Sequence, residues 1–176
     1  MSMSYSADFD IRYTEEGDLF YLKSWLDHPS VMKWFPISDE KEINDAAACW
    51  IGFYKFKCSL TAIVNGIPCG MATLFLMPYK KVAHESMFKI VVSPEYQRQG
   101  IGSALIKNLK HLAKKRFRLE LLHIEVYENN PLIELLEKQG FQAIVRQERY
   151  FKDDDTYFAR VLLEGDIDKE DHGSAV

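Results

Sequence analysis

The stretch Val91-Val92-Ser93-Pro94-Glu95-Tyr96-Gln97-Arg98-Gln99-Gly100-Ile101-Gly102-Ser103-Ala104-Leu105 decides how this chain folds. An apolar run ends at a proline. A polar turn follows, and a Gly-x-Gly pair leads into an amphipathic segment. Ile101, Ala104, Leu105, Leu109 and Leu112 recur at helical spacing and mark one apolar face. The turn therefore feeds the N-terminus of a helix that packs on a sheet. The first N–H groups of such a helix lack intrahelical partners, and the helix dipole favours negative charge there. Gly100 and Gly102 carry no Cβ, so a phosphate can come close to the main chain. The expectation is a phosphate cradle made of backbone amides.

Two known cradles fail on these residues. A P-loop needs Lys after its last glycine, and Ser103 follows Gly102. A dinucleotide fingerprint needs a small residue at its third glycine position, and Leu105 stands there. What remains, Gln97-x-x-Gly100-x-Gly102 after a strand, resembles the acyl-CoA-binding motif of the GNAT N-acetyltransferase superfamily. A glycine-rich helix start without a ligand is the plain alternative. Downstream, Val126 to Phe141 is similar to the second GNAT motif, with Val126, Asn130, Leu135, Lys138, Gly140 and Phe141 carrying its residue types. Two motifs in the expected order weigh more than one. The resemblance covers Ser59 to Phe141 by motif and the whole chain by element order.

The 176 residues suit one domain with a full core. A hydrophobic share of 47% and a charged share of 27% are ordinary for a globular protein. The net charge of -4 argues against broad nucleic-acid binding, which needs a basic face. No apolar run is long enough to span a membrane, and Met1 to Tyr5 shows no signal-peptide core. Cys49, Cys58 and Cys69 are an odd count without metal-type spacing. They read as reduced, mostly buried thiols of a cytoplasmic protein. No metal is expected.

Period and punctuation give the elements. Phe9 to Tyr13 alternates as a first strand. Glu16 to Asp27 reads as a helix closed by Pro29. Asp39 caps a longer helix, with Glu42 in the capping-box position. Ser59–Val64 and Cys69–Leu76 flank Asn65-Gly66, a hairpin signal. Ser86–Val92 is the strand entering the cradle, and a helix follows from Gly100 to Arg116. Leu119–Tyr127 reads as a strand, Pro131–Lys138 as a helix, and two strands follow, one starting at Gly140-Phe141 and one over Tyr157–Leu163. Residues 1–163 form one domain, and 164–176 read as an acidic, mobile tail. The resemblance implies an α/β (α+β) GNAT fold: a mixed, mostly antiparallel sheet of about seven strands with helices on both faces. It also implies a parallel strand pair that splays apart.

The resemblance further implies acetyl-CoA as co-substrate and an amine as acceptor. The pantetheine arm would lie in the splayed gap like an added strand. By position, the backbones of Ile90, Val91 and Val92 would hold its amides. The amides of Gln97, Arg98, Gln99, Gly100, Ile101, Gly102 and Ser103 would hold the pyrophosphate. Asn130 would contact the arm from the far side, and Arg98 and Lys138 would meet CoA phosphates. Ordinary solvated charge is the alternative for Arg98 and Lys138, and a helix N-cap before Pro131 is the alternative for Asn130. Dimers are common in the family, so a homodimer is compatible with the sequence; a nucleic-acid or membrane partner is not implied.

The implied chemistry is acyl transfer from a thioester to an amine, by direct attack in a ternary complex. It needs alignment, oxyanion stabilisation and two proton movements. Many members carry a Tyr proton donor four residues before the motif glycine; here that position is Leu136. Tyr127 is the first substitute, with an amphipathic strand-end tyrosine as the alternative. For the base, Ser86 occupies the register where some relatives carry a carboxylate, and Glu85 is one residue off. Glu125, mid-strand, and His84, on the face of Ser86, rank ahead of Glu85. Trp25, Trp34, Phe35, Trp50, Phe53, Tyr54 and Tyr79 make the acceptor region aromatic, either as core and rim or as a pocket wall. The missing tyrosine keeps a second reading open, an acyl-CoA-binding module or sensor with little turnover.

Overall fold

Residues 8–168 are described by the computed structural model. The expectations for Met1–Tyr5 and for the tail beyond Asp168 lie outside the described residues. Strand β1 (Phe9–Tyr13) leads to a 3-10 turn (Glu16–Asp18) and helix α1 (Leu19–Asp27). The expected helix thus starts three residues late. Asp18 spends its carboxylate on the Glu15 N–H and on Arg12, which holds the chain in a tight turn first. Pro29 opens a one-turn helix, α2 (Pro29–Met32), rather than only closing α1. Proline suits a first helical position, and His28 Nδ1 accepts the Ser30 N–H.

Helix α3 (Glu40–Ile51) is capped by Asp39, whose Oδ1 accepts the Glu42 N–H at 2.8 Å. Glu42 turns to the Ser38 N–H and hydroxyl instead of completing the box on Asp39. Strands β2 (Ser59–Val64) and β3 (Ile67–Leu76) are joined by Asn65 and Gly66, both at positive φ. That conformation matches the twist of a two-residue hairpin. Then come β4 (Glu85–Val92), α4 (Ile101–Phe117), β5 (Leu121–Tyr127), α5 (Leu132–Lys138), β6 (Phe141–Asp153) and β7 (Thr156–Asp166). Strand β7 pairs with β5 out to Asp166, so Glu164 to Asp166 belong to the sheet and not to a tail.

The seven strands run in the order β1-β2-β3-β4-β5-β7-β6. Every neighbouring pair is antiparallel except β4–β5. That parallel pair is registered only at Glu85↔Leu121, Ser86↔Leu122 and Met87↔His123. Beyond Met87 and His123 the two strands part, forming a fork. The α4 side of the sheet buries one core, including Phe88, Ile90, Leu105, Leu109, Ile124, Leu136 and Phe141. The other side buries a second core, in which Leu22, Trp25, Ile43 and Trp50 of α1 and α3 meet Met71 and Val91. Trp25 and Trp50 are therefore core, while Tyr79 is exposed. Cys58 and Cys69 are buried and Cys49 is exposed. Burial pushes both buried thiols up to about 11.

Candidate active site

The cradle is built by one glycine at a left-handed position. Gly100 is the N-cap of α4 at φ 85°, a conformation costly for any residue with a Cβ. A Cβ added there meets no protein atom within 4 Å, so the space beside it is open. The first α4 bond runs from the Ala104 N–H to the Gly100 carbonyl. The N–H groups of Ile101, Gly102 and Ser103 are left for a ligand. Gly102 is small for another reason than the sequence suggests: a Cβ would meet Leu135 Cδ2 at 3.1 Å, where α5 packs on α4. The Gln97 side chain donates to the Val92 carbonyl at 3.2 Å and ties the turn to the end of β4.

A cavity of about 460 Å³ opens beside this turn. Ile90, Val91, Val92, Gln97, Arg98, Gly100, Gly102, Ser103, Asn130 and Lys138 all line it. Gln99 and Ile101 do not. Ile101 is buried in the α4 core, and the Gln99 amide donates to the Glu95 carbonyl. Only their backbones remain available to a phosphate. Lys138 is paired with Glu134 at 3.2 Å on an exposed helix face. Asn130 Oδ1 accepts the Leu132 N–H at 2.9 Å, so it organises the start of α5 and also faces the cavity.

A second cavity, of about 340 Å³, lies on the other side of the fork. It shares Trp34, Phe35, Ile90, Asn130 and Leu132 with the first, so the two meet where β4 and β5 separate. Strand alternation explains its lining. Leu122, Ile124 and Val126 are buried in the α4-side core, which turns Glu125 and Tyr127 to the opposite face. Both line the second cavity. Tyr127 stacks on Phe151 at 3.8 Å between ring centres. Burial raises its phenol pKa, and the charges of Asp153 and Glu125 raise it further. Tyr127 therefore stays a proton donor into alkaline solution. Glu125 Oε2 takes a 2.8 Å hydrogen bond from Arg160.

The other base candidates fall away from the fork. His84 is exposed at the closed end of the strand pair, where its carbonyl accepts the Glu120 and Leu121 N–H groups, and it lines neither cavity. Strand alternation alone cannot tell the open end of a pair from the closed one. Glu85 lies 2.8 Å from His123 Nδ1, and Glu164 holds Nε2 of the same ring at 2.8 Å. Ser86 is buried and donates to the Met87 carbonyl. Leu136, at the position of the family tyrosine, is fully buried in the core. Phe75, Met87, Lys89 and Phe151 also line the second cavity and were not singled out from the sequence. Lys89 had a signal, a charge inside the apolar run Met87 to Val92. Phe151 had none, because two register shifts in the β6–β7 ladder decide where it lands.

A family model described as the acetyltransferase (GNAT) family matches residues 17–141. Over 83 residues the chain is 35% identical to the ribosomal protein bS18-alanine N-acetyltransferase of Escherichia coli strain K12. That alignment covers 46% of this chain and 55% of the relative. It is 31% identical over 103 residues to an N-alpha-acetyltransferase of Sulfurisphaera tokodaii, covering 57% and 61% of the two chains. The chain thus aligns with little more than half the length of these relatives. The structure of yncA from Salmonella typhimurium, solved with its cofactor acetyl-CoA, superposes with a TM-score of 0.77 at 16% identity. That superposition spans 96% of this chain and 99% of the other and shows a shared fold.

Proposed function

Because the chain belongs to the GNAT acetyltransferase family, we propose that it is an acetyl-CoA-dependent N-acetyltransferase acting on a primary amine, of a small molecule or a protein N-terminus. The observation that carries this reading is the fork: two cavities, one beside an anion cradle and one lined by a carboxylate and a phenol, meet where the strands part. The residues present fit acetyl-CoA. Among the described residues the first N–H groups of α4 have no hydrogen-bond partner, which suits its pyrophosphate, and the β5-facing edge of β4 beyond Met87 pairs with no strand, which suits its amide-bearing arm. When bound there, acetyl-CoA supplies an activated acetyl group as a thioester.

The chain's own residues would do the rest. Glu125 takes a proton from the acceptor's ammonium group, since an amine near its ordinary pKa is mostly protonated at neutral pH. A β4 main-chain N–H in the fork stabilises negative charge on the carbonyl oxygen. As the new C–N bond forms and the C–S bond breaks, the Tyr127 hydroxyl would give its proton to the departing sulfur, and the second proton shed by the attacking nitrogen would restore the phenol. Arg160 keeps Glu125 oriented. A second reading, an acyl-CoA-binding module with little turnover, is favoured by one observation: Leu136 stands where the family tyrosine would be.

Incubation with acetyl-CoA and a panel of polyamines, aminoglycosides, amino acids and peptides tests both. Release of free thiol with any of these amines is the expected result. Tight CoA binding in calorimetry with no thiol release across the panel would establish the module instead.

A further inference from the structure

Lys89 and Glu125 stand on the same face of the sheet, each two residues beyond the last paired positions of the fork, Met87 and His123. They therefore lie opposite each other across the opening, and both line the second cavity. They do not neutralise one another. Glu125 Oε2 is held by Arg160, and Oε1 accepts no hydrogen bond among the described residues. Lys89 rests its ammonium 5.0 Å from the Phe75 ring centre and 5.9 Å from that of Trp50. Among the described residues no carboxylate lies within ion-pair distance of it. Ring contacts hold a lysine head in place but leave its three N–H donors free.

The cavity thus presents one carboxylate and one unpaired ammonium on opposite lips, with apolar walls from Trp34, Phe35, Phe75 and Phe151. A simple cation or polyamine would meet Glu125 but be opposed by Lys89 and Arg160. An uncharged body alone would leave the Lys89 ammonium and the open Glu125 Oε1 unanswered. A small zwitterion answers both. Arg160 is not the anion site, because it does not line the cavity as Lys89 does and its Nη1 already serves Glu125 at 2.8 Å and Tyr150 at 3.3 Å. We propose that the acceptor is a free amino acid with an apolar side chain, its ammonium on Glu125 and its carboxylate on Lys89. This rests on the acetyltransferase reading and deepens it. Lys89 is then a specificity-determining residue that takes no part in proton transfer.

The test compares L-phenylalanine, L-leucine and L-methionine with phenethylamine, isoamylamine and L-phenylalaninamide. Each is titrated by calorimetry into the full chain loaded with CoA, and thiol release from acetyl-CoA is followed in parallel. At least one amino acid is expected to bind about tenfold or more tighter than its carboxylate-free partner, the scale of one charge-assisted contact. Lys89→Met should remove that advantage by weakening the acids, with amine binding held or strengthened and CoA affinity in place, and Lys89→Arg should restore it. The proposal is overturned if the amines or the amide bind as well as the acids, if none of the three acids binds, or if Lys89→Met moves acids and amines alike. The two readings fail separately. Thiol release with amines and no Lys89 dependence sinks the zwitterion site alone. Lys89-dependent amino-acid binding without thiol release sinks turnover alone.

Discussion

At the scale of the residue, the site depends on conformations that few side chains tolerate and on protons held in place by burial. Gly100 at φ 85° is one such conformation. Gly100→Val adds backbone strain of about 1–2 kcal/mol and puts a branched side chain into the open space beside the cradle. Weaker CoA binding by calorimetry, by at least about tenfold, is expected from a variant that keeps its circular dichroism. Tyr127 is the second case. Burial and the nearby carboxylates of Asp153 and Glu125 raise its pKa, so the phenol keeps its proton further into alkaline solution than a free tyrosine does. Tyr127→Phe keeps the stack on Phe151 and removes only the hydroxyl. A fall in kcat/KM of about a hundredfold, with CoA affinity unchanged, is the expected outcome of steady-state kinetics. Unaltered turnover would mean that the thiolate leaves without a specific acid.

At the scale of the element, α5 shows how one helix can satisfy two demands. Its Leu135 fills the space left by Gly102, and its Leu136 closes the core between α4 and the sheet. Leu136→Tyr would restore the family's phenol in name only. The extra ring has no room at a fully buried site, and overpacking of this kind costs about 1–3 kcal/mol. A lower thermal midpoint without a gain in kcat should result. Most elements were legible because local chemistry fixes them: Asn65-Gly66 for the hairpin, Asp39 for α3, the Gly100 turn for α4. Much of the first cavity's lining was legible for the same reason, since Ile90, Val91, Val92, Gln97, Arg98, Gly100, Gly102 and Ser103 lie on one strand end and the turn after it. Of the second cavity, Tyr127 and Glu125 stood out in the sequence, but Lys89, Phe75 and Phe151 did not, because they join them only through pairing between separate strands. His84 was misplaced because period-2 alternation assigns a face of a strand but not a position along a fork.

At the scale of the whole molecule, a buried polar chain ties β1, β2 and β3 together under α1 and α3. Arg12 grips Asp18 with two hydrogen bonds of 2.8 and 2.9 Å, Asp18 accepts from Thr61, and Thr14, Ser59 and Thr73 carry the chain on to the Trp50 indole. Burial would push the Asp18 carboxyl up, but Arg12, the Glu15 N–H and Thr61 more than offset it and hold the group below its ordinary 3.8. A depressed native pKa contributes stability above the unfolded value, and that contribution is lost as pH falls through the native one. Asp18→Asn should therefore lower stability by about 3 kcal/mol near neutral pH, with the gap to wild type closing below pH 4 in thermal melts. The fork has a further consequence, for the life of the protein before any reaction. Beyond Met87 and His123 the facing edges of β4 and β5 lack the protection of a shared ladder, and a molecule lodged between them raises the cost of opening the sheet. At a hundred times its dissociation constant, such a molecule adds about 2.7 kcal/mol to the native state. Amide exchange along β4 and β5 should therefore slow when CoA is added, which hydrogen-exchange measurements with and without it would read.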